Sequence, residues 1–306
     1  MKKRNQVLGT LGKIVNQKVY NKFATFKDQD GVIIRGDCKN VLSLMDQNDI
    51  TLAVTSPPYF NAINYDEHIE KLNGRKDRWE RRDVDYEEYK NFLVERFKVL
   101  YDVIQEGGYN VVNISPVAWK GKRRQLPFHF VGWMEDIGWQ FKEDIVWEKT
   151  VTRDRRSGVL IQHPYPGYYY PSLVSEYIFV FQKPADKKNK QNIYWYRTQE
   201  EKEANRINMD NFNGELSKNI WRIRPLSPQE NMHPAPFPIE IPERIINFYS
   251  YKGDKVIDIF SGSGQTLIAA KKLGRKFIGI DTIQQYIDYS ISRIQKKFDQ
   301  LSIKVD

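Results

Sequence analysis

"VIDIFSGSGQTLIAAKKLGRKFIGID", Val256 to Asp281, reads as a strand, a tight turn, a helix and a second strand. Val256-Ile257-Asp258-Ile259-Phe260 is an apolar run broken by a single acid, the pattern of a strand buried on both faces of a parallel sheet. Ser261-Gly262-Ser263-Gly264 leads directly into the helix. Small residues there let a ligand approach the backbone N–H groups that open a helix, so a nucleoside-containing cofactor belongs at this turn. Asp281 ends the next strand 19 residues after Gly262, where an acidic side chain commonly holds ribose hydroxyls.

Spacing narrows the cofactor. A dinucleotide fingerprint needs a third glycine where this chain has Leu267, which disfavours a pyrophosphate. A P-loop needs Gly-Lys-Ser/Thr, and Gly264 is followed by Gln265 and Thr266. A hydrolase elbow needs glycine on both sides of the serine at spacing two, but Ser261 stands on the left of Ser263. What remains is a nucleoside cofactor without pyrophosphate, with Asp258 available to pair with a cationic amino group, and S-adenosylmethionine is such a molecule. A structural alternative stays open: Asp258 as a cap of the glycine turn.

Outward from this unit the α/β rhythm continues. "GVIIRGD" (31–37) reads as a strand, "CKNVLSLM" as a helix and "ITLAVTSPPY" as a strand. "YEEYKNFLVERFKVLYDVI" has helical apolar spacing, and "GGYNVVNIS", "QFKEDIVWEK" and "SEYIFVFQK" read as further strands. Charged residues 66–85 suggest an exposed loop or helical lid. The expected organisation is an N-terminal arm over 1–28, the first part of a catalytic domain over 29–148, a recognition region over 149–228 interrupted by a core strand near 175–183, and the cofactor-binding part over 229–306. The fold class is α/β, a Rossmann-like sheet with helices on both faces and a smaller basic lobe.

A second motif ends the strand Leu52-Ala53-Val54: "TSPPY", Thr55 to Tyr59. Pro57 and Pro58 supply no N–H donors and fix φ, so they end the ladder and hold carbonyl acceptors rigidly beside a stackable ring. Taken alone, this is also how an ordinary Pro-Pro turn leaves a strand.

Composition bounds the partner. The 306 residues carry a net charge of +9 together with 18 Tyr, 16 Phe and 7 Trp. Basic charge with stacking surface points to nucleic acid. Cys38 is the only cysteine, which excludes an internal disulfide and a thiolate zinc cluster and fits a reducing cytoplasm. No stretch approaches the roughly 18 apolar residues of a membrane helix, and "NQVLGTLGKIVNQ" after "MKKR" is too polar for a secretory signal. The four histidines show no metal-ligand spacing, so no metal is expected.

Taken together, "VIDIFSGSGQT", "IGID" and "TSPPY" resemble the amino-group DNA methyltransferases, in the permuted β-type order, from about Gly31 to Asp281. The resemblance implies S-adenosylmethionine as cofactor, with Asp258, Phe260, Gly262 and Gly264 around its methionine part and Asp281 on the ribose. Asp37 is placed at the adenine amine, although Gly36-Asp37 is also an ordinary turn. "HPAPFP" (233–238) is similar to the family's cofactor-covering segment, which brings in His233 and Pro234. Ile259 and Gln265 depart from the residues many members have, Pro and Thr. Ser56, Pro57, Pro58 and Tyr59 become the catalytic set acting on a flipped-out base.

Double-stranded DNA is the implied partner, with Lys120, Lys122, Arg123, Arg124, Arg153, Arg155 and Arg156 as phosphate contacts. The resemblance also implies a cognate restriction endonuclease as a partner, and the chain itself is expected as a monomer or homodimer. In the resembling family, adenine-N6 enzymes usually place Asp or Asn before Pro-Pro-Tyr and cytosine-N4 enzymes Ser. Ser56 therefore favours cytosine N4, with adenine N6, an RNA amine methyltransferase and a non-enzymatic nucleic-acid module as alternatives.

Overall fold

The computed structural model describes residues 14–60, 85–119, 122–150, 163–168, 171, 173–185, 197–208, 214–227, 231–233 and 236–302. The strands are β1 (Ala24–Lys27), β2 (Gly31–Arg35), β3 (Ile50–Thr55), β4 (Ile104–Ile114), β5 (Val117–Trp119), β6 (Lys122–Arg124), β7 (Gln140–Lys149), β8 (Ser175–Gln182), β9 (Ile220–Ile223), β10 (Lys255–Asp258) and β11 (Lys276–Asp281). Nine of them form one sheet in the order β1-β2-β11-β10-β3-β4-β8-β7-β9, while β5 and β6 pair as a separate hairpin.

Helices α1 (Gln17–Phe23), α2 (Cys38–Leu42), α3 (Tyr86–Val103), α4 (Leu126–Ile137), α5 (Gln199–Ala204), α6 (Glu240–Tyr249), α7 (Gln265–Lys272) and α8 (Gln284–Ser302) connect or flank the strands. Alternation along each strand sends neighbouring residues to opposite faces. Ala53 and Ile257 therefore join Val41, Leu93, Phe97 and Phe130 of α2, α3 and α4 in one apolar layer. Leu52, Val54 and Val256 join Ile245, Leu267 and Ile287 of α6, α7 and α8 in the other. Both faces are covered, as the fully buried strand β3 requires.

The middle of the sheet, β2, β11, β10, β3 and β4, is parallel. Beyond it β8 runs antiparallel to both β4 and β7, a departure from the simple parallel rhythm expected. Apolar patterning reports burial and not direction, and an antiparallel neighbour needs no helical crossover. The 149–228 region contributes β8, as expected, and also β9, whose four residues pair parallel with β7. Residues within the expected arm are built into the core: Ile14, Val15 and Val19 are buried, and β1 covers the edge that β2 would otherwise expose.

From β3 the chain moves to β4 on one side, whereas from β10 it moves to β11 on the other. β3 and β10 are adjacent, so the winding reverses between them and leaves a crevice beyond their carboxyl ends, where open α/β sheets bind ligands. Among the described residues no helix is long and apolar enough to cross a membrane, and no cluster of three or more His, Cys, Asp or Glu could hold a metal.

Candidate active site

A cavity of about 300 Å³ lies in this crevice, walled by the ends of β2, β3, β10 and β11. It brings together Asp37, Ser56, Pro57, Pro58, Tyr59, His233, Asp258, Phe260, Gly262 and Asp281 from distant parts of the chain. Gly264 sits just behind it, as the cap of α7.

Asp258 ends β10 with only 1% of its surface exposed. The Thr55 hydroxyl donates to its Oδ1 at 2.6 Å, and the Phe260 N–H at 3.1 Å. Burial pushes its carboxyl up to about 6, against the pull of these hydrogen bonds. The acid thus caps the turn, as the structural alternative has it, and also faces the cavity. Among the described residues it forms no ion pair with Lys or Arg, its partners being hydroxyls and an N–H. A buried acid without a countercharge suits a ligand that carries a cation.

Gly262 has φ of 46° and Gly264 φ of 77°, the left-handed region that glycine tolerates. A Cβ on Gly262 would stand 3.0 Å from the His233 ring, and one on Gly264 would collide with Ser290. Asp281 accepts from Gly262 N–H at 2.8 Å and from Ile283 N–H at 2.9 Å, which fixes its carboxylate at the cavity wall. Burial raises its pKa also. Buried Ser261 Oγ has no hydrogen-bond partner among the described residues, a polar atom left for a ligand at the same turn. A buried acid free to face an ammonium, an acid beside a glycine turn and a cavity of this size fit S-adenosylmethionine.

Asp37 also lines the cavity, but its carboxylate is engaged: Oδ1 accepts from Lys39 N–H at 2.8 Å, capping α2, and Oδ2 pairs with Arg96. The Arg96 guanidinium lies 3.6 Å from the centre of the Phe92 ring, and Phe92 stacks on Phe260. Arg96, Phe92 and Tyr286 line the cavity and Thr55 holds its acid; none was singled out by the sequence reading. Phe92 and Arg96 are four apart on α3, a helical-face pairing that a sequence search could have found.

The second motif is held at its carboxyl end. Tyr89 Oη donates to the Pro58 carbonyl at 2.8 Å, and Tyr59 Oη donates to Glu176 at 2.9 Å. Cys38 is buried at the same cavity, and desolvation pushes its thiol up to about 12. That is the reverse of what a nucleophilic thiolate needs.

Of the expected DNA contacts, Arg123 and Arg124 are exposed on β6, with Arg124 5.2 Å from the centre of the Tyr86 ring. Lys122 begins the same strand. Lys120, Arg153, Arg155, Arg156 and Pro234, and most of the 66–85 segment, lie outside the described residues.

A doubly wound sheet with a buried acid, a glycine turn and Ser-Pro-Pro-Tyr at one switch-point cavity defines a nucleoside-cofactor transferase. The chain matches the DNA methylase family of N6/N4 methyltransferases over residues 50–292 and belongs to it. It is 30% identical over 294 residues to the type II methyltransferase M.MjaI of Methanocaldococcus jannaschii, covering 87% of this chain and 92% of that protein. Similarity to the type II beta methyltransferase M.BslI of Bacillus sp. (strain NEB-606) is 26% over 281 residues and 85% of this chain, which spans only 27% of that longer protein. Among solved structures, TTHA0409 of Thermus thermophilus in complex with S-adenosyl-L-methionine superposes with a TM-score of 0.64 at 25% identity, over 86% of this chain and 94% of that one. The fold is that of an S-adenosylmethionine-dependent methyltransferase, and the reaction is methylation of an amino group in DNA.

Proposed function

We propose that the methylated amino group is N4 of a cytosine flipped out of duplex DNA. The observation that carries the reading is Ser56, which heads Pro-Pro-Tyr and lines the same cavity as Asp258. Extruding a base costs a few kcal/mol, and stacking on Tyr59 offsets about 1–3 kcal/mol of it. The exocyclic nitrogen is a weak nucleophile because its lone pair is delocalised into the ring. Ser56 Oγ and the Pro57 carbonyl accept its two N–H groups and favour a tetrahedral nitrogen whose lone pair is free to react. Tyr89 already donates to the Pro58 carbonyl, which leaves the preceding carbonyl as the backbone acceptor in this assignment.

When bound, S-adenosylmethionine supplies an electrophilic methyl group on a positively charged sulfur. Asp258 pairs with the ammonium of its methionine part, Asp281 holds the ribose, and Gly262 and Gly264 give it room. His233 and Pro234 cover it, and Asp37, oriented by Arg96, takes the adenine amine. Rigid positioning and aimed acceptors carry the acceleration, with no covalent intermediate. Ser56 is too weak a base to keep a proton, which leaves to water after transfer. The basic residues Lys120, Lys122, Arg123, Arg124, Arg153, Arg155 and Arg156 hold the phosphates of the flanking duplex.

DNA from a methylation-free host expressing the chain, digested to nucleosides and separated by mass and retention, tests the base. N4-methylcytosine is the expected product. N6-methyladenine alone would overturn the choice of base and leave the family assignment standing.

A further inference from the structure

Behind the stacking residue lies a charge that the transfer itself does not use. Glu176 on β8 is 4% exposed, yet the next two residues on its face of the strand, Ile178 and Val180, are apolar core. Its Oε2 accepts from Tyr59 Oη at 2.9 Å and from Asn113 Nδ2 at 2.6 Å, and its Oε1 pairs with Lys149. Burying a carboxylate costs several kcal/mol unless it is paired and hydrogen-bonded. A strand that had only to pack would carry another aliphatic side chain here.

The position explains the acid. Two prolines fix the backbone before Tyr59, and Tyr89 holds the Pro58 carbonyl. The side-chain torsions of Tyr59 are the freedom that remains, and ordering them at the moment of DNA binding would cost entropy.

We propose that Glu176 is a positioning residue for the base-binding ring: its carboxylate anchors the Tyr59 phenol, so the ring face stands ready at the cavity wall before a base arrives. Asn113 and Lys149 hold the carboxylate in turn. Lys149 is the last residue of β7, at the entry to the 149–228 region, so the network ties that entry to the ring. This rests on the reading of Tyr59 as the stacking residue.

A double-mutant cycle separates positioning from simple structural support. The variants are Tyr59→Phe, which keeps the ring and removes the anchor, and the pair Glu176→Leu with Lys149→Met, which leaves neither charge buried alone, and the combination of all three. Methyl transfer to unmethylated DNA and S-adenosylmethionine affinity by calorimetry are measured for each. Tyr59→Phe and the pair are each expected to lower kcat/KM for DNA about 10-fold, with cofactor Kd within about 2-fold, and their combination to fall no more than about 2-fold further. Losses that multiply to about 100-fold would mean independent structural damage and overturn the proposal. A fully active, folded Tyr59→Phe would overturn it without reference to Glu176. A wild-type chain inert toward DNA would overturn this proposal and the proposed function together.

Discussion

At Asp258 a carboxylate is enclosed with hydroxyl and N–H partners and, among the described residues, no cation, and burial outweighs the hydrogen bonds and pushes its pKa up to about 6 from the usual 3.8. A raised carboxyl pKa favours the fold below about pH 4, where both states are protonated, and that advantage is lost as pH rises through about 6. In the cofactor-free protein at neutral pH the charge therefore costs about 3 kcal/mol. Asp258→Asn should raise the melting temperature of the cofactor-free chain by several degrees at pH 7.5 and leave it nearly unchanged at pH 4. The same substitution should weaken S-adenosylmethionine binding about 10-fold or more at pH 7.5, since it removes the charge that the proposed function sets against the ammonium. Calorimetry across pH gives the companion result: affinity of the wild type falls as pH drops through about 6, whereas affinity of the Asn variant stays flat. Equal affinities at neutral pH would remove Asp258 from the cofactor site.

Strand β10, the glycine turn and α7 form a unit whose parts are contiguous, which is why sequence periodicity and spacing were enough to find it. Gly262→Ala tests the turn. Its φ of 46° and the 3.0 Å approach to His233 should cost about 1–2 kcal/mol of stability by thermal unfolding and weaken cofactor binding about 10-fold; a folded variant with native affinity would show that the turn does not meet the ligand. Elements set by distant partners were less legible. The Thr55–Asp258 bond joins residues 203 apart, and Arg96 reaches Asp37 across 59, so neither Thr55 nor Arg96 signals its role locally. β8 carried the right apolar pattern, but its antiparallel direction follows from pairing with β4 and β7. β9 spans only four residues within a polar stretch and acquires its strand conformation from the edge of β7. Glu176 gives no sequence signal, because an acid in "SEYIFVFQK" reads as an ordinary polar position until the fold turns it toward Tyr59.

For the whole molecule, a net charge of +9 and exposed arginines on the β5–β6 hairpin place cationic surface on a DNA methylase. Counterion release makes such contacts measurable one by one. Replacing Arg123 and Arg124 together by Ala should reduce the slope of log affinity for duplex DNA against log salt by about 2, with cofactor affinity unchanged. An unaltered slope would move the phosphate contacts elsewhere. The fold brings two strand ends that are far apart in the chain, β3 and β10, to one cavity, which the proposed function divides into a cofactor half and a base half. The most direct test is Ser56→Ala, with labelled methyl transfer from S-adenosylmethionine to DNA measured beside cofactor binding by calorimetry. Removing an acceptor that matters chiefly as the nitrogen becomes tetrahedral should lower turnover about 10- to 100-fold and leave cofactor Kd within about 2-fold; undiminished turnover by the folded variant would contradict a transfer site built on this motif.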